Sequence, residues 1–234
     1  SYAFNKSHAA AYGLVAVQTA YLKCHYTAPF MAALMNSVIG NEDKISQYIQ
    51  YCRKHDISVL PPSVNKSRTG FSVELVNGKP AIRFSLSAIK AVGRPCVDAI
   101  VANREARGEF RDLFDFCDRM SSPRFSAAGK YEGPSPVNKR AVESMIKSGA
   151  FDHMTTGGKE INRAQLLEIY ESTMDAASSK RKNQVSGQMS LFDAMPEIEV
   201  PLPTIPDLPT PPHRLMLNME KETTGVYISG HPLD

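Results

Sequence analysis

A mainly helical fold carrying a small β-hairpin, of the α+β class, is predicted by three features of this 234-residue sequence. Apolar residues recur at helical spacing through most segments up to Tyr170. Asn77-Gly78 separates two alternating stretches, Phe71/Val73/Leu75 and Ile82/Phe84, which is a strong short-range signal for a two-residue hairpin. From about Ala176 the chain turns polar and basic, then proline-rich, as a linker does.

Composition sets the bounds. At 42% hydrophobic the chain can bury a core, and a net charge of +3 neither demands nor excludes nucleic acid. Cys24, Cys52, Cys96 and Cys117 are scattered with no C-x-x-C pair, which argues against a zinc site and a disulfide framework. A reducing cytoplasm fits that usage. No apolar run reaches spanning length and no signal-peptide pattern opens the chain, so a membrane is not among the expected partners. From the abrupt start, a piece of something larger is expected.

Taken in order, residues 4–26 read as one helix, with Ser7 as its cap and Ala9 to Ala11 as strong helix formers. It is apolar nearly all round from Leu14 to Leu22, so burial is expected. Asn5, Lys6, Ser7 and His8 gather at its start, with Tyr12 one turn on. Two readings fit them: a polyphosphate contact at a helix N-terminus, or a solvated first turn. Pro29 opens a second helix that stops at Gly40. A third starts near Asn41, with Glu42 and Asp43 in its first turn and Ile45, Tyr48, Ile49 and Cys52 as its stripe. Val59 to Pro62 ends the helical stretch, and the hairpin follows.

Ser87 to Gly108 reads as two short helices joined at Gly93-Arg94, in the manner of a helix-hairpin-helix. Such a turn exposes backbone N–H groups at a helix start and grips phosphate without reading bases. A second glycine is usual two residues after the first. Pro95 stands there and removes a donor, which Arg94 offsets with charge. Lys90 lies beside the turn. A plain packing hairpin is the other reading. A helix with Leu113, Phe116, Cys117 and Met120 on one face follows, then a polar loop over 121–136. Asn138 caps the next helix, where Lys139 and Arg140 are either a second phosphate contact or solvated side chains. Asn162 and Gln165 have capping-box spacing before Leu166 and Tyr170. Within the tail, Gln188-Met189-Ser190-Leu191-Phe192 is a short apolar island suited to docking as a linear peptide.

FNKSHAAAYGLVAVQTAYLKCHYTAPFMAALM resembles the bacterial replicative DNA polymerases of the C family, the DNA polymerase III alpha subunits. The likeness continues in order through KISQYIQYCRKHDISVLPPSVNKS, IRFSLSAIKAVG, FRDLFDFCDRM, VNKRAVESMIKSGAFD and EKETTGVYISGHPL. The resemblance implies a fingers-like helical region at 1–70, then the β-hairpin and helix-hairpin-helix with following helices at 71–175. A flexible linker with a clamp-binding peptide is implied at 176–212, and a segment leading to an OB fold at 213–234. It implies incoming-dNTP contacts at Asn5, Lys6, Ser7, His8 and Tyr12. Primer-template DNA contacts are implied at Lys90, Gly93, Arg94, Lys139 and Arg140. Gln188, Met189, Leu191 and Phe192 are implied to bind the sliding clamp, the beta subunit. Other polymerase III holoenzyme subunits are further expected partners, in the bacterial cytoplasm at the nucleoid. The palm carboxylates that hold two magnesium ions in the family lie upstream of the FNKSHA segment. No catalytic or metal-binding residue is therefore assigned here, and the segment alone is expected to be inactive. Two other classes remain: a non-enzymatic helix-hairpin-helix DNA-binding module, and a protein-interaction scaffold.

Overall fold

In the computed structural model, residues 5–121, 124–125, 131–133, 135–152, 154–156, 158–185, 203–230 and 232 are described. Helix α1 spans Lys6–His25 and starts at Asn5, whose Oδ1 accepts His8 N–H at 3.2 Å. Asn5, not Ser7, is thus the cap. No residue of α1 is buried. The expectation of burial fails in this chain because Leu14, Val15, Val17 and Tyr21 all face solvent, at 60, 53, 68 and 57% exposure.

Helices α2 (Thr27–Ser37) and α3 (Glu42–Lys54) build the first core with the hairpin. Asn41 caps α3 by accepting Lys44 N–H at 3.1 Å. Met31, Met35, Ile45, Ile49, Phe71 and Ile82 meet there, and Val226 and Ile228 join from the far end of the chain. Strand β1 (Ser58–Leu60) pairs in parallel with β3 (Lys79–Arg83), and β2 (Ser72–Val76) pairs antiparallel on the other side of β3. The Asn77-Gly78 turn is present with φ of 52° and 77°, as a primed turn requires.

A 3-10 turn at Leu86–Ala88 leads into α4 (Arg94–Arg107) and α5 (Leu113–Met120). After the small ribbon β4 (Arg124–Phe125) and β5 (Tyr131–Gly133), Asn138 caps α6 (Lys139–Lys147). The ribbon β6 (Thr155–Thr156) and β7 (Lys159–Glu160) precedes α7 (Arg163–Val185), and α8 (His213–Thr224) closes the described helices. A second, larger core holds Val97, Ile100, Phe110, Phe116, Met145 and Phe151.

A buried ionic knot joins α6, α7 and α8. Arg163, 4% exposed, donates to Asp152 at 3.0 and 2.6 Å and to the fully buried Glu220 at 3.2 Å. Glu220 also accepts Ile228 N–H and Ser229 N–H, each at 3.0 Å, which holds the C-terminal segment against the body. Each guanidinium nitrogen of Arg163 and each carboxylate oxygen of Asp152 and Glu220 has a hydrogen-bond partner, as a buried charge requires.

The tail differs from a uniform linker. Helix α7 runs on to Val185, past Ala176 where the composition changes. Ala177 is buried, which extends the packed part of this helix beyond the point where polar residues take over. Residues 203–212 are extended but fastened. Gln165 Nε2 donates to Pro206 O at 2.8 Å, Asn162 Nδ2 donates to Leu208 O at 2.9 Å, and Ile205 packs on the core.

Candidate nucleic-acid interface

The hairpin between the 3-10 turn and α4 is held from beneath by apolar side chains. Ile89, Val92, Cys96 and Val97 are all buried, while Lys90, Ala91, Gly93, Arg94 and Pro95 are exposed. Its turn is closed by Val92 N–H to Ile89 O at 3.1 Å and Cys96 N–H to Gly93 O at 2.9 Å. The N–H groups of Ala91, Gly93 and Arg94 have no acceptor among the described residues. Three donors without an acceptor among the described residues therefore sit on exposed residues at and just before the start of a 14-residue helix, whose dipole adds positive potential there. That arrangement suits one phosphate group.

The structure shifts the register of the motif. The left-handed residue is Ala91, at φ 64°, and Gly93 sits two residues later with φ −73° as the N-cap of α4. The turn pair is thus Ala91 and Gly93, rather than Gly93 and Pro95. Pro95 is the second residue of α4, and its ring costs the helix one donor but leaves the turn intact.

The charged residues near the turn are unequal. Arg94 is 79% exposed, with only a loose 3.7 Å approach to Asp98. Lys90 is engaged: its Nζ lies 3.0 Å from Glu42, and its N–H donates to Thr223 O at 2.7 Å. Lys139 is held between Asp175 at 2.9 Å and Glu171 at 3.4 Å, and the Asp175 hydrogen bond raises its ammonium pKa above the ordinary value. Arg140 is exposed, with no ion pair among the described residues. No hydrogen bond or ion pair among the described residues joins Lys139 or Arg140 to the hairpin.

At the start of α1, Asn5, Lys6, Ser7 and His8 are all exposed. Ser7 Oγ donates to Asn5 Oδ1 at 2.6 Å, and the His8 ring meets the Tyr12 ring edge-on at 4.5 Å. The cluster is present as a group, but Asn5 already occupies His8 N–H. Gln188, Met189, Leu191 and Phe192 lie outside the described residues.

Among the described residues no group of three or more His, Cys, Asp or Glu side chains comes together to hold a metal ion. The described residues do not fit a magnesium site. The thiols of Cys52, Cys96 and Cys117 are pushed up to about 11, about 11 and about 12 by burial, so they are no nucleophiles at neutral pH. Among the described residues no helix is long and apolar enough to cross a membrane.

Sequence reasoning passed over Ala91, because a glycine two residues away carried the signal. It also passed over Arg68 and Arg104, which are 36 positions apart and come to the same flank of the hairpin through the fold.

The helix-hairpin-helix motif family matches residues 56–166. Across 99% of its length the chain is 40% identical to the DNA polymerase III subunit alpha of Neisseria meningitidis serogroup B, over 18% of that relative. The subunit alpha of Vibrio cholerae is 37% identical across the full chain, again over 18% of its own length. That of Thermus aquaticus is 40% identical across the full chain, over 17%. The chain thus spans about a fifth or less of the length of the curated relatives it matches.

Proposed function

We propose, for a chain that belongs to the DNA polymerase III alpha-subunit family and spans one segment of it, that this segment holds the backbone of primer-template DNA through its hairpin. The observation that carries the reading is the trio of open N–H donors at Ala91, Gly93 and Arg94 above a buried apolar platform. Binding of this kind is independent of base sequence and steeply salt-dependent.

The test is Gly93→Asp. Position 93 has the extended backbone of an N-cap, and a Cβ there would meet only Pro95 Cδ at 3.7 Å. Aspartate is a favoured N-cap, so the fold should be kept or slightly stabilised. Its carboxylate would put a negative charge beside the donors and repel phosphate. Duplex affinity should fall by at least about tenfold at fixed salt, since one lost charge-assisted contact exceeds 1.4 kcal/mol. A variant that folds and binds DNA as wild type does would sink the reading.

The parent subunit's activity on this reading is DNA-directed DNA polymerisation during replication, at the nucleoid in the bacterial cytoplasm. Asn5, Lys6, Ser7, His8 and Tyr12 then face the incoming dNTP, supported by their grouping at one exposed helix end. In the full subunit, Lys6→Ala with His8→Ala should raise the KM for dNTP by about tenfold for a lost charged contact. An unchanged KM removes the assignment. The carboxylates and magnesium of the reaction belong to another part of the subunit. Gln188, Met189, Leu191 and Phe192 bind the sliding clamp as a linear peptide, and other polymerase III holoenzyme subunits are partners of the whole. Leu191→Ala/Phe192→Ala should abolish clamp binding by the chain while leaving its melting temperature unchanged, and retained clamp affinity would refute the tether.

A further inference from the structure

Two arginines outside the hairpin tip are brought together on its flank. Arg68 lies in the loop between β1 and β2, and its carbonyl accepts Leu86 N–H at 3.2 Å. Leu86 opens the first arm of the hairpin, so the Arg68 backbone is fixed on that arm. Thr69 donates from Oγ1 to Asp98 Oδ1 at 3.2 Å, and its carbonyl accepts Ser85 Oγ–H at 2.6 Å. Farther along α4, Arg104 donates to Val64 O at 2.8 Å. The loop 64–69 is thereby laced along α4 from Asp98 to Arg104.

The lacing sets like charges near each other. The Arg68 side chain is exposed, with no hydrogen bond or ion pair among the described residues. Arg104 is half-buried and spends one nitrogen on a carbonyl, with no carboxylate in ion-pair contact among the described residues. Burial lowers the Arg104 guanidinium pKa, and the charge of Arg68 lowers it further, against the milder pull of Glu105 and Glu109. Two cations carried on one flank by these ties, with no carboxylate in ion-pair contact among the described residues, favour an anion beside them. From Arg94 at the tip, α4 rises about 15 Å to Arg104 at ~1.5 Å per residue. That matches the axial rise of roughly four nucleotides of one strand, at ~3.4 Å each along the duplex axis.

We infer that Arg68 and Arg104 form a second phosphate contact for duplex DNA, extending the backbone track from the hairpin tip along α4. This rests on the hairpin reading above. The contact adds affinity and alignment but no sequence preference.

The experiment is binding of a fluorescent duplex by the chain across a salt series, with melting temperature as the check on folding. Arg68→Ala should lower the slope of log K against log salt by about 0.9, one phosphate contact, and weaken unrelated sequences equally. Arg68→Glu would set a negative charge at the same contact, so duplex affinity at fixed salt should fall further than in the alanine variant. Arg68→Lys should keep the wild-type slope. Wild-type slopes and affinities in the alanine and glutamate variants, with Gly93→Asp still weakened, overturn this contact and leave the hairpin reading standing. Wild-type binding by Gly93→Asp overturns the hairpin reading, and the track built on it falls too.

Discussion

Helix α1 and helix α4 each offer an N-terminus to an anion, and they do so from opposite structural situations. At α1 the cap is filled, with Asn5 Oδ1 accepting His8 N–H, and no residue of the helix is buried. At α4 no side chain caps the start, while Cys96, Val97 and Ile100 anchor the helix in the larger core. The difference separates two requirements that sequence patterns merge. Donors must be left open, and they must be held still. An anchored turn pays little ordering entropy when a phosphate arrives, whereas an unanchored one must be ordered by its ligand or by its neighbours. Of these two helices, the α4 start meets both conditions. The α1 cluster needs packing partners along Leu14, Val15, Val17 and Tyr21 before it can act as a fixed site.

The contrast is broken or upheld most strongly by thiol labelling, because each helix carries one cysteine. Cys24 on α1 is exposed and Cys96 on α4 is buried, with its pKa pushed up to about 11. At pH 8 a thiol of that pKa is ionised to about one part in a thousand, and burial blocks reagent as well. Cys24 should therefore react at once with a thiol reagent. Cys96 should wait for opening of the hairpin, at least about a hundredfold slower. Mass spectrometry of labelled peptides over time reads both. Comparable rates would mean that α4 is no better anchored than α1, and the mechanical argument for the hairpin would fail.

Local chemistry was legible in the sequence; distant meetings were not. Asn77-Gly78 announced its turn because positive φ at both positions favours those residues. Asn41 and Asn138 announced helix starts, and Asn162 with Gln165 forms a reciprocal box, Asn162 N–H to Gln165 Oε1 at 3.0 Å and Gln165 N–H to Asn162 Oδ1 at 3.1 Å. The same two side chains also grip the carbonyls of Pro206 and Leu208, and no local pattern tells that. Strand β1 was hidden because its three residues, Ser58–Leu60, are too few to alternate and run into Pro61-Pro62. In the candidate site, the hairpin and its place were readable from spacing. The Arg68–Arg104 pair was not, because Val64, Thr69 and Asp98 create it through tertiary hydrogen bonds.

The register of the turn gives the smallest effect and the finest test. Ala91 holds φ 64°, a conformation that costs an L-residue with a Cβ about 1–2 kcal/mol. Glycine removes that cost but adds about 0.4–1 kcal/mol of backbone entropy to the unfolded chain. Because Ala91 is exposed, almost no packing is lost with its methyl group. Ala91→Gly should therefore stabilise the chain by roughly 0.5–1 kcal/mol in a urea titration, the difference of the two effects. Duplex affinity should be unchanged, since the donors at positions 91, 93 and 94 remain. The corresponding change on α1, Ala11→Gly, lies inside a regular helix and should destabilise α1 by about 0.5–1 kcal/mol. Opposite signs at the two sites would fix Ala91 as the strained residue of the turn. Loss of stability in Ala91→Gly would return the strain to another residue and undo the assignment of Ala91 and Gly93 as the turn pair.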